Sequence, residues 1–240
     1  LAGELVLLFV DNIWTVDDCW PVRESGREIM LREWLCESQV LPVITPGEVA
    51  ITVQLCRTLA GAGMRAVELT LRSTTALEVM RIVAAEVPEL RVAAGTVLTP
   101  AQLDLVQGAG AVFAVSPGAT PALYQAARST AMPLLPGVAT ASEVMAGLDQ
   151  GLDIFKLFPA TALGGQDLLN AMAGPFPTVK FCPTGGLRPD NFRAFLALPN
   201  VICCGGSWMV AAELVAAGDW GTIAAMAAEA MRAQSRSVVL

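Results

Sequence analysis

Apolar residues fall in short runs along this 240-residue chain, and from Val40 onward the runs recur about every 20 to 26 residues. They are Val40–Ile44, Ala66–Thr70, Arg91–Thr96, Ala111–Ser116, Pro133–Val138, Ile154–Pro159, Thr178–Gly185 and Val201–Ser207. Each is rich in Val, Ile, Leu, Ala or Phe, and many end in Gly, Pro, Ser or Thr, the mark of a short buried strand. Between them the apolar positions take helical spacing, as in Pro46–Ala62, Thr74–Val87, Pro100–Ala109, Thr120–Thr130, Thr140–Gly151 and Pro189–Leu198. Several of these stretches open on Pro or a Ser/Thr cap, and some close on Gly. Eight strand–helix units in about 200 residues predict an α/β fold, specifically a (β/α)8 TIM barrel. A doubly wound sheet fits less well, because Ile44-Thr45-Pro46-Gly47-Glu48 has no Gly-rich turn after the first strand. Residues 1–38 read as an N-terminal extension, with Ile29, Met30, Leu31, Trp34 and Leu35 predicting the face of a capping helix; residues 39–240 read as the barrel. Residues 1–25 carry no functional reading.

Composition narrows the chemistry. Apolar residues make up 54% of the chain and charged residues 15%, which suits a large packed core. The net charge of −7, with no basic run, argues against nucleic acid. Leu105 to Ala127 and Ala194 to Ala212 carry no charge, but Gly, Pro and Ser clusters divide both, so no membrane span is expected. Six cysteines (Cys19, Cys36, Cys56, Cys182, Cys203, Cys204) lack paired spacing, and there is no histidine to complete a zinc site. Free, buried thiols in a reducing compartment, the cytoplasm, are the expectation, with neither metal nor cofactor. Without histidine, acid–base work falls to Glu, Asp, Lys, Tyr or Cys.

The barrel reading directs attention to the C-terminal ends of the strands. The lysine count adds a second pointer: thirteen arginines stand against two lysines, and one of these, Lys156, sits in the apolar run Ile154-Phe155-Lys156-Leu157-Phe158-Pro159. An amine in apolar surroundings loses the hydration of its charged form and becomes a nucleophile for carbonyl carbon, which arginine cannot do. The blander alternatives are a stem that snorkels to solvent or a lysine paired to a carboxylate. Lys180, the other lysine, lies four residues before Thr184, roughly 13 Å lower along its strand, at the end of a barrel that serves stability. On the second run Glu68 and Arg72 share a face by alternation, and Glu68 points inward if Val67 and Leu69 meet the helices. A carboxylate there is either half of a structural ion pair or a working group. The pairs Gly185-Gly186 and Gly205-Gly206, with Thr184 and Ser207 beside them, are either tight turns or a phosphate site built from backbone N–H groups at a helix N-terminus.

Taken together, Glu68-Leu-Thr-Leu-Arg72, Ala94-Gly-Thr-Val-Leu98, Ser116-Pro-Gly118, Pro136-Gly137, Phe155-Lys-Leu-Phe-Pro-Ala160, Phe181-Cys-Pro-Thr-Gly-Gly186 and Gly205-Gly-Ser-Trp208 closely resemble the bifunctional KDPG/KHG aldolase family. The initials stand for 2-keto-3-deoxy-6-phosphogluconate and 4-hydroxy-2-oxoglutarate. The resemblance runs in register from about Val40 to about Thr222. It implies a homotrimeric (β/α)8 class I aldolase that needs no metal and acts on a phosphorylated 2-keto sugar acid. By position it places the Schiff-base lysine at Lys156 and the general acid/base at Glu68. It puts the carboxylate-binding arginine at Arg72, its supporting threonine at Thr96, and the site-lining proline at Pro117. A threonine near the reacting carbonyl falls on Thr184, and the phosphate positions fall on Gly185, Gly186, Gly206 and Ser207. Where relatives commonly read Lys-Phe-Phe-Pro-Ala-Glu-Ala-Asn-Gly-Gly, this chain has Thr161 and Leu163 in place of the Glu and the Asn, which bears on substrate preference.

Two further readings stay open. Another phosphate-binding barrel enzyme, such as an isomerase or an indole-pathway synthase, needs no lysine between apolar flanks on the sixth strand. A catalytically silent barrel that binds sugar acids does not need the set Glu68, Arg72 and Lys156.

Overall fold

Threonine hydroxyls start several of the helices. Thr99 and Thr140 each close a reciprocal capping box with the side chain three residues on, Gln102 and Glu143, and Thr120 caps the helix that begins at Pro121. The computed structural model describes residues 26–130 and 132–232; residues 1–25 of the expected extension lie outside them. The chain runs through α1 (Gly26–Ser38), β1 (Val40–Ile44), α2 (Val49–Gly61), β2 (Ala66–Thr70), α3 (Ala76–Glu86) and β3 (Arg91–Gly95). It continues through α4 (Pro100–Gly108), β4 (Phe113–Val115), α5 (Pro121–Ser129), β5 (Leu134–Leu135), β6 (Gly137–Val138), α6 (Ala141–Leu148) and β7 (Ile154–Leu157). The last elements are α7 (Gly165–Ala173), β8 (Lys180–Pro183), α8 (Phe192–Leu196), β9 (Cys204–Gly206), α9 (Ala212–Ala217) and α10 (Trp220–Met231).

The expected closed eight-stranded (β/α)8 TIM barrel is not what forms. Six parallel strands make a half-barrel in the order β5-β4-β3-β2-β1-β9, and three more make a separate sheet, β6-β7-β8. One seam falls inside the fifth predicted strand. Leu134 and Leu135 pair with β4, whereas Gly137 and Val138 pair with β7, and Pro136 between them has no N–H to carry a ladder across. The other seam lies between β8 and β9, which meet only through isolated bridges, Phe181 to Val201 and Thr184 to Gly205. The eighth predicted run therefore shrinks to Cys204–Gly206, and the helix expected over Pro189–Leu198 to Phe192–Leu196.

Alternation sorts the side chains into two cores. Val67, Leu69, Phe155 and Leu157 turn outward into the layer packed by the helices, with Val53 and Leu59 of α2 and Val79 and Met80 of α3. Ala66, Ala93, Phe113, Val115, Leu135, Ile154, Cys182 and Cys203 turn inward, where Leu31 and Leu35 of α1 join them. Helix α1 thus fills the lower interior. Trp34 holds it there, with its ring 6.1 Å from that of Phe113 and the Arg91 guanidinium 5.7 Å above it. Arg32 adds an ion pair to Asp153, and Arg27 donates to the carbonyls of Ala127 and Thr130 at the end of α5. The predicted helix face is narrower than expected: Leu31 and Leu35 are buried and Trp34 is half-buried, whereas Ile29 and Met30 are both 41% exposed. Cys56, Cys182, Cys203 and Cys204 are buried and Cys36 is half-buried, none of them in a disulfide among the described residues; Cys19 lies outside the described residues. Desolvation pushes the Cys56 thiol up to about 12. Among the described residues no helix is long and apolar enough to cross a membrane.

Leu35 has no exposed surface and touches the inner core, so Leu35→Ala removes a plug as well as surface burial. A loss of about 2 to 5 kcal/mol in urea unfolding is expected. A loss below about 0.5 kcal/mol, the scale of a surface substitution, would mean that α1 does not hold the interior.

Candidate active site

Because Phe155 and Leu157 face the helices, Lys156 between them must face the interior. The same parity on β2 turns Glu68 inward between Val67 and Leu69. The two side chains come from different sheets and meet. Lys156 Nζ lies 3.1 Å from Oε1 and 3.2 Å from Oε2 of Glu68, with the side chains 5% and 1% exposed. The amine also sits 5.4 Å from the Phe158 ring centre. Burying two charges carries a desolvation cost of several kcal/mol per ion, which close pairing offsets only in part. A pair kept at that expense is a candidate for chemistry.

Glycines clear the level at which the pair sits. A Cβ on Gly95 would overlap the Glu68 carboxylate, and one on Gly205 would overlap the Thr184 hydroxyl. Gly137 pairs laterally with Lys156 and abuts the backbone of Pro117, which brings half-buried Pro117 beside the strand that carries the amine. The sequence reading gave Gly95 no role and offered Gly205 only as part of a turn or phosphate pair, although a glycine at an inward strand position beside a large polar side chain was the available signal.

Above Glu68 on the same face come Thr70, whose hydroxyl bonds that of Thr45 at 3.2 Å, and then Arg72 at the mouth. Arg72 Nε donates to Thr96 Oγ1 at 3.0 Å, which leaves its Nη groups without a partner among the described residues. Thr96 itself holds φ 59°, a left-handed value unusual for a branched residue, so its hydroxyl is fixed at some backbone strain. Arg72 and Thr96 are thus brought together, as are Lys156 and Glu68.

Thr184 is buried just past β8. Its N–H reaches Leu157 O at 2.9 Å, its hydroxyl donates to Cys182 O at 3.3 Å, and it bridges to Gly205. Gly185 and Gly186 follow at φ 101° and 80°, a turn that favours glycine. The N–H groups of Gly186 and Ser207 donate to no described residue. The helix N-terminus expected behind this turn is displaced, since α8 begins only at Phe192. Arg188, in the same loop, is already paired with Asp190, whose carboxyl it holds below the usual carboxylate range. Any anion here would meet backbone donors and the exposed Ser207. Gly206 does something else: a Cβ there would strike the indole of Trp208, which packs 5.1 Å from the Phe192 ring. Lys180 stays at the lower end, with Nζ donating to Pro199 O at 3.1 Å.

An inward amine paired to a carboxylate, a guanidinium at the mouth and a cluster of unpaired N–H groups can hold and activate an anionic keto acid. Comparison with known proteins points the same way. The family profile "Aldolase: KDPG and KHG aldolase" matches residues 31–226. The KHG/KDPG aldolase of Escherichia coli K12 is 49% identical over 197 residues, covering 82% of this chain and 92% of that protein. The 2-dehydro-3-deoxy-phosphogluconate aldolase of Dickeya dadantii is 48% identical, with the same coverage. Among solved structures, the KDPG aldolase of Legionella pneumophila, with pyruvate captured at low pH as a covalent carbinolamine, has a TM-score of 0.81 at 41% identity. It covers 83% of this chain and 97% of its own. The Zymomonas mobilis ZM4 aldolase with 3-phosphoglycerate gives the same score and identity, covering 87% and 97%. The chain belongs to the KDPG and KHG aldolase family.

Proposed function

We propose that the chain is a class I aldolase that cleaves 2-dehydro-3-deoxy-6-phosphogluconate to pyruvate and glyceraldehyde 3-phosphate, and 4-hydroxy-2-oxoglutarate to pyruvate and glyoxylate. It works as a homotrimer in the cytoplasm. The observation that carries the reading is the buried contact of Lys156 Nζ with Glu68 at 3.1 and 3.2 Å. Lys156 adds to the C2 keto carbon of the substrate, and Glu68, through a water, moves the protons that turn the carbinolamine into an iminium with loss of water. The C4 hydroxyl then gives up its proton and the C3–C4 bond breaks. Its electron pair flows into the iminium and leaves a pyruvate enamine, while the aldehyde departs. Protonation of C3 and hydrolysis of the imine release pyruvate and free the lysine. The iminium is the electron sink in this sequence. Arg72 takes the substrate carboxylate on its two Nη groups, with Thr96 steadying Nε, so that the reacting carbons are aligned. Pro117 and Thr184 line the carbonyl end, and Gly185, Gly186 and Ser207 receive the phosphate.

Borohydride reduction in the presence of pyruvate should leave a stable adduct on Lys156 and none on Lys180. Lys156→Arg should keep a cation opposite Glu68 and abolish cleavage while the protein still folds. An adduct on Lys180, or cleavage that survives the substitution, would sink the mechanism.

Glu68→Gln keeps the shape of the site and removes the proton carrier, so turnover should fall by on the order of 10² to 10⁴. Pyruvate should still bind through Arg72. Exchange of the pyruvate methyl protons at the parent rate would reduce Glu68 to a structural partner.

At the phosphate end Ser207→Ala is the clean probe, since a side chain on Gly206 would disturb Trp208 instead. KM for the phosphorylated substrate should rise by the equivalent of about 1.5 to 3 kcal/mol, that of one hydrogen bond to a charged group. KM for 4-hydroxy-2-oxoglutarate should not change. Equal losses on both substrates would show that the turn shapes the site and does not read phosphate.

A further inference from the structure

The loop leaving the nucleophile's strand returns to the glycine turn. Beyond β7 the pairing with β8 continues as a ladder: Thr184 N–H donates to Leu157 O at 2.9 Å, Ala160 N–H to Thr184 O at 2.8 Å, and Thr161 N–H to Gly185 O at 3.1 Å. The Thr161 hydroxyl donates to the same Gly185 carbonyl at 3.0 Å. A carbonyl oxygen has two lone pairs, and here one residue occupies both. Because a trans peptide is planar, its C=O and the following N–H point in opposite directions. Fixing the Gly185 carbonyl toward Thr161 therefore fixes the Gly186 N–H away from it, and that N–H has no partner among the described residues. Gly186 has no side chain to obstruct the arrangement, and a Cβ there would overlap the Thr161 hydroxyl.

We infer that Thr161 is a positioning residue for the phosphate end of the substrate: its two hydrogen bonds to Gly185 O hold the Gly186 N–H aimed at the anion. The inference rests on the reading that phosphate occupies the Gly185–Gly186 turn. Thr161 does not itself grip the phosphate. Its O–H is committed to Gly185, and the lone pairs left on Oγ1 would repel an anion. Thr161 is also only five residues beyond Lys156, so the same ladder sets the spacing between the nucleophile and the phosphate donors.

The test pairs steady-state kinetics with a titration of glycine-labelled full-length protein by inorganic phosphate, followed at the Gly186 amide. Thr161→Val keeps the side-chain shape and deletes the hydroxyl. It should raise KM for the phosphorylated substrate about five- to tenfold, the scale of one neutral hydrogen bond, without changing kcat or KM for 4-hydroxy-2-oxoglutarate. It should also weaken the response of the Gly186 amide to phosphate, and Thr161→Ser should restore both readouts. A phosphate response in the parent chain, combined with parent-like behaviour of Thr161→Val, would leave the phosphate reading standing and overturn the positioning role. A loss shared equally by both substrates would also overturn it, as the effect of a merely structural residue. If phosphate moved the amides of neither Gly186 nor Ser207 in the parent chain, the phosphate reading itself would fall, and the inference with it.

Discussion

The contact between Lys156 and Glu68 is the constraint around which the interior is arranged. It joins β7 of the three-stranded sheet to β2 of the half-barrel, above an apolar lower interior. Hydrophobic residues of similar volume would serve stability as well or better. The pair therefore dictates what its neighbours are. Gly95 leaves room for the carboxylate, Gly137 lies alongside the lysine, and the outward Phe155 and Leu157 lock β7 so that the amine cannot turn away. Beneath it, Leu31 and Leu35 of α1 fill the interior from below. Apolar packing at one end leaves the polar work to the other.

Much of this was legible in the sequence because strand parity is a strong code. One lysine between Phe and Leu, and one glutamate between Val and Leu, suffice to turn both side chains inward, and the spacing of the eight runs places them near the same end. Parity also found Arg72, and the low position of Lys180 followed from rise alone. Closure of the sheet was not legible. Whether adjacent runs ladder continuously depends on single backbone donors, and Pro136 removes one in the middle of a run that otherwise reads as a strand. The retreat of α8 to Phe192 was not legible either.

The glycines mark a second limit. A glycine in a sequence does not say whether it supplies a turn, an N–H or a vacancy. Gly185 and Gly186 supply the turn and its N–H groups, Gly206 supplies the vacancy that Trp208 fills, and Gly95 and Gly205 make way for Glu68 and Thr184. For Gly95 and Gly205, only neighbours distant in the chain reveal the use. The paired hydrogen bonds from Thr161 to Gly185 O were hidden in the same way: their partners lie 24 residues apart.

The two seams between the sheets have a consequence for how substrate and protein hold each other. On the roles proposed above, the reacting molecule is held by both sheets at once. Lys156 and the Gly185–Gly186 turn belong to the three-stranded sheet. Arg72, Glu68 and Ser207 belong to the half-barrel or extend from it. Where the backbone ladders stop, at Pro136 and again between β8 and β9, the covalent intermediate spans the gap. For the lifetime of the imine, the substrate becomes a crosslink between two parts of the protein that share few main-chain bonds.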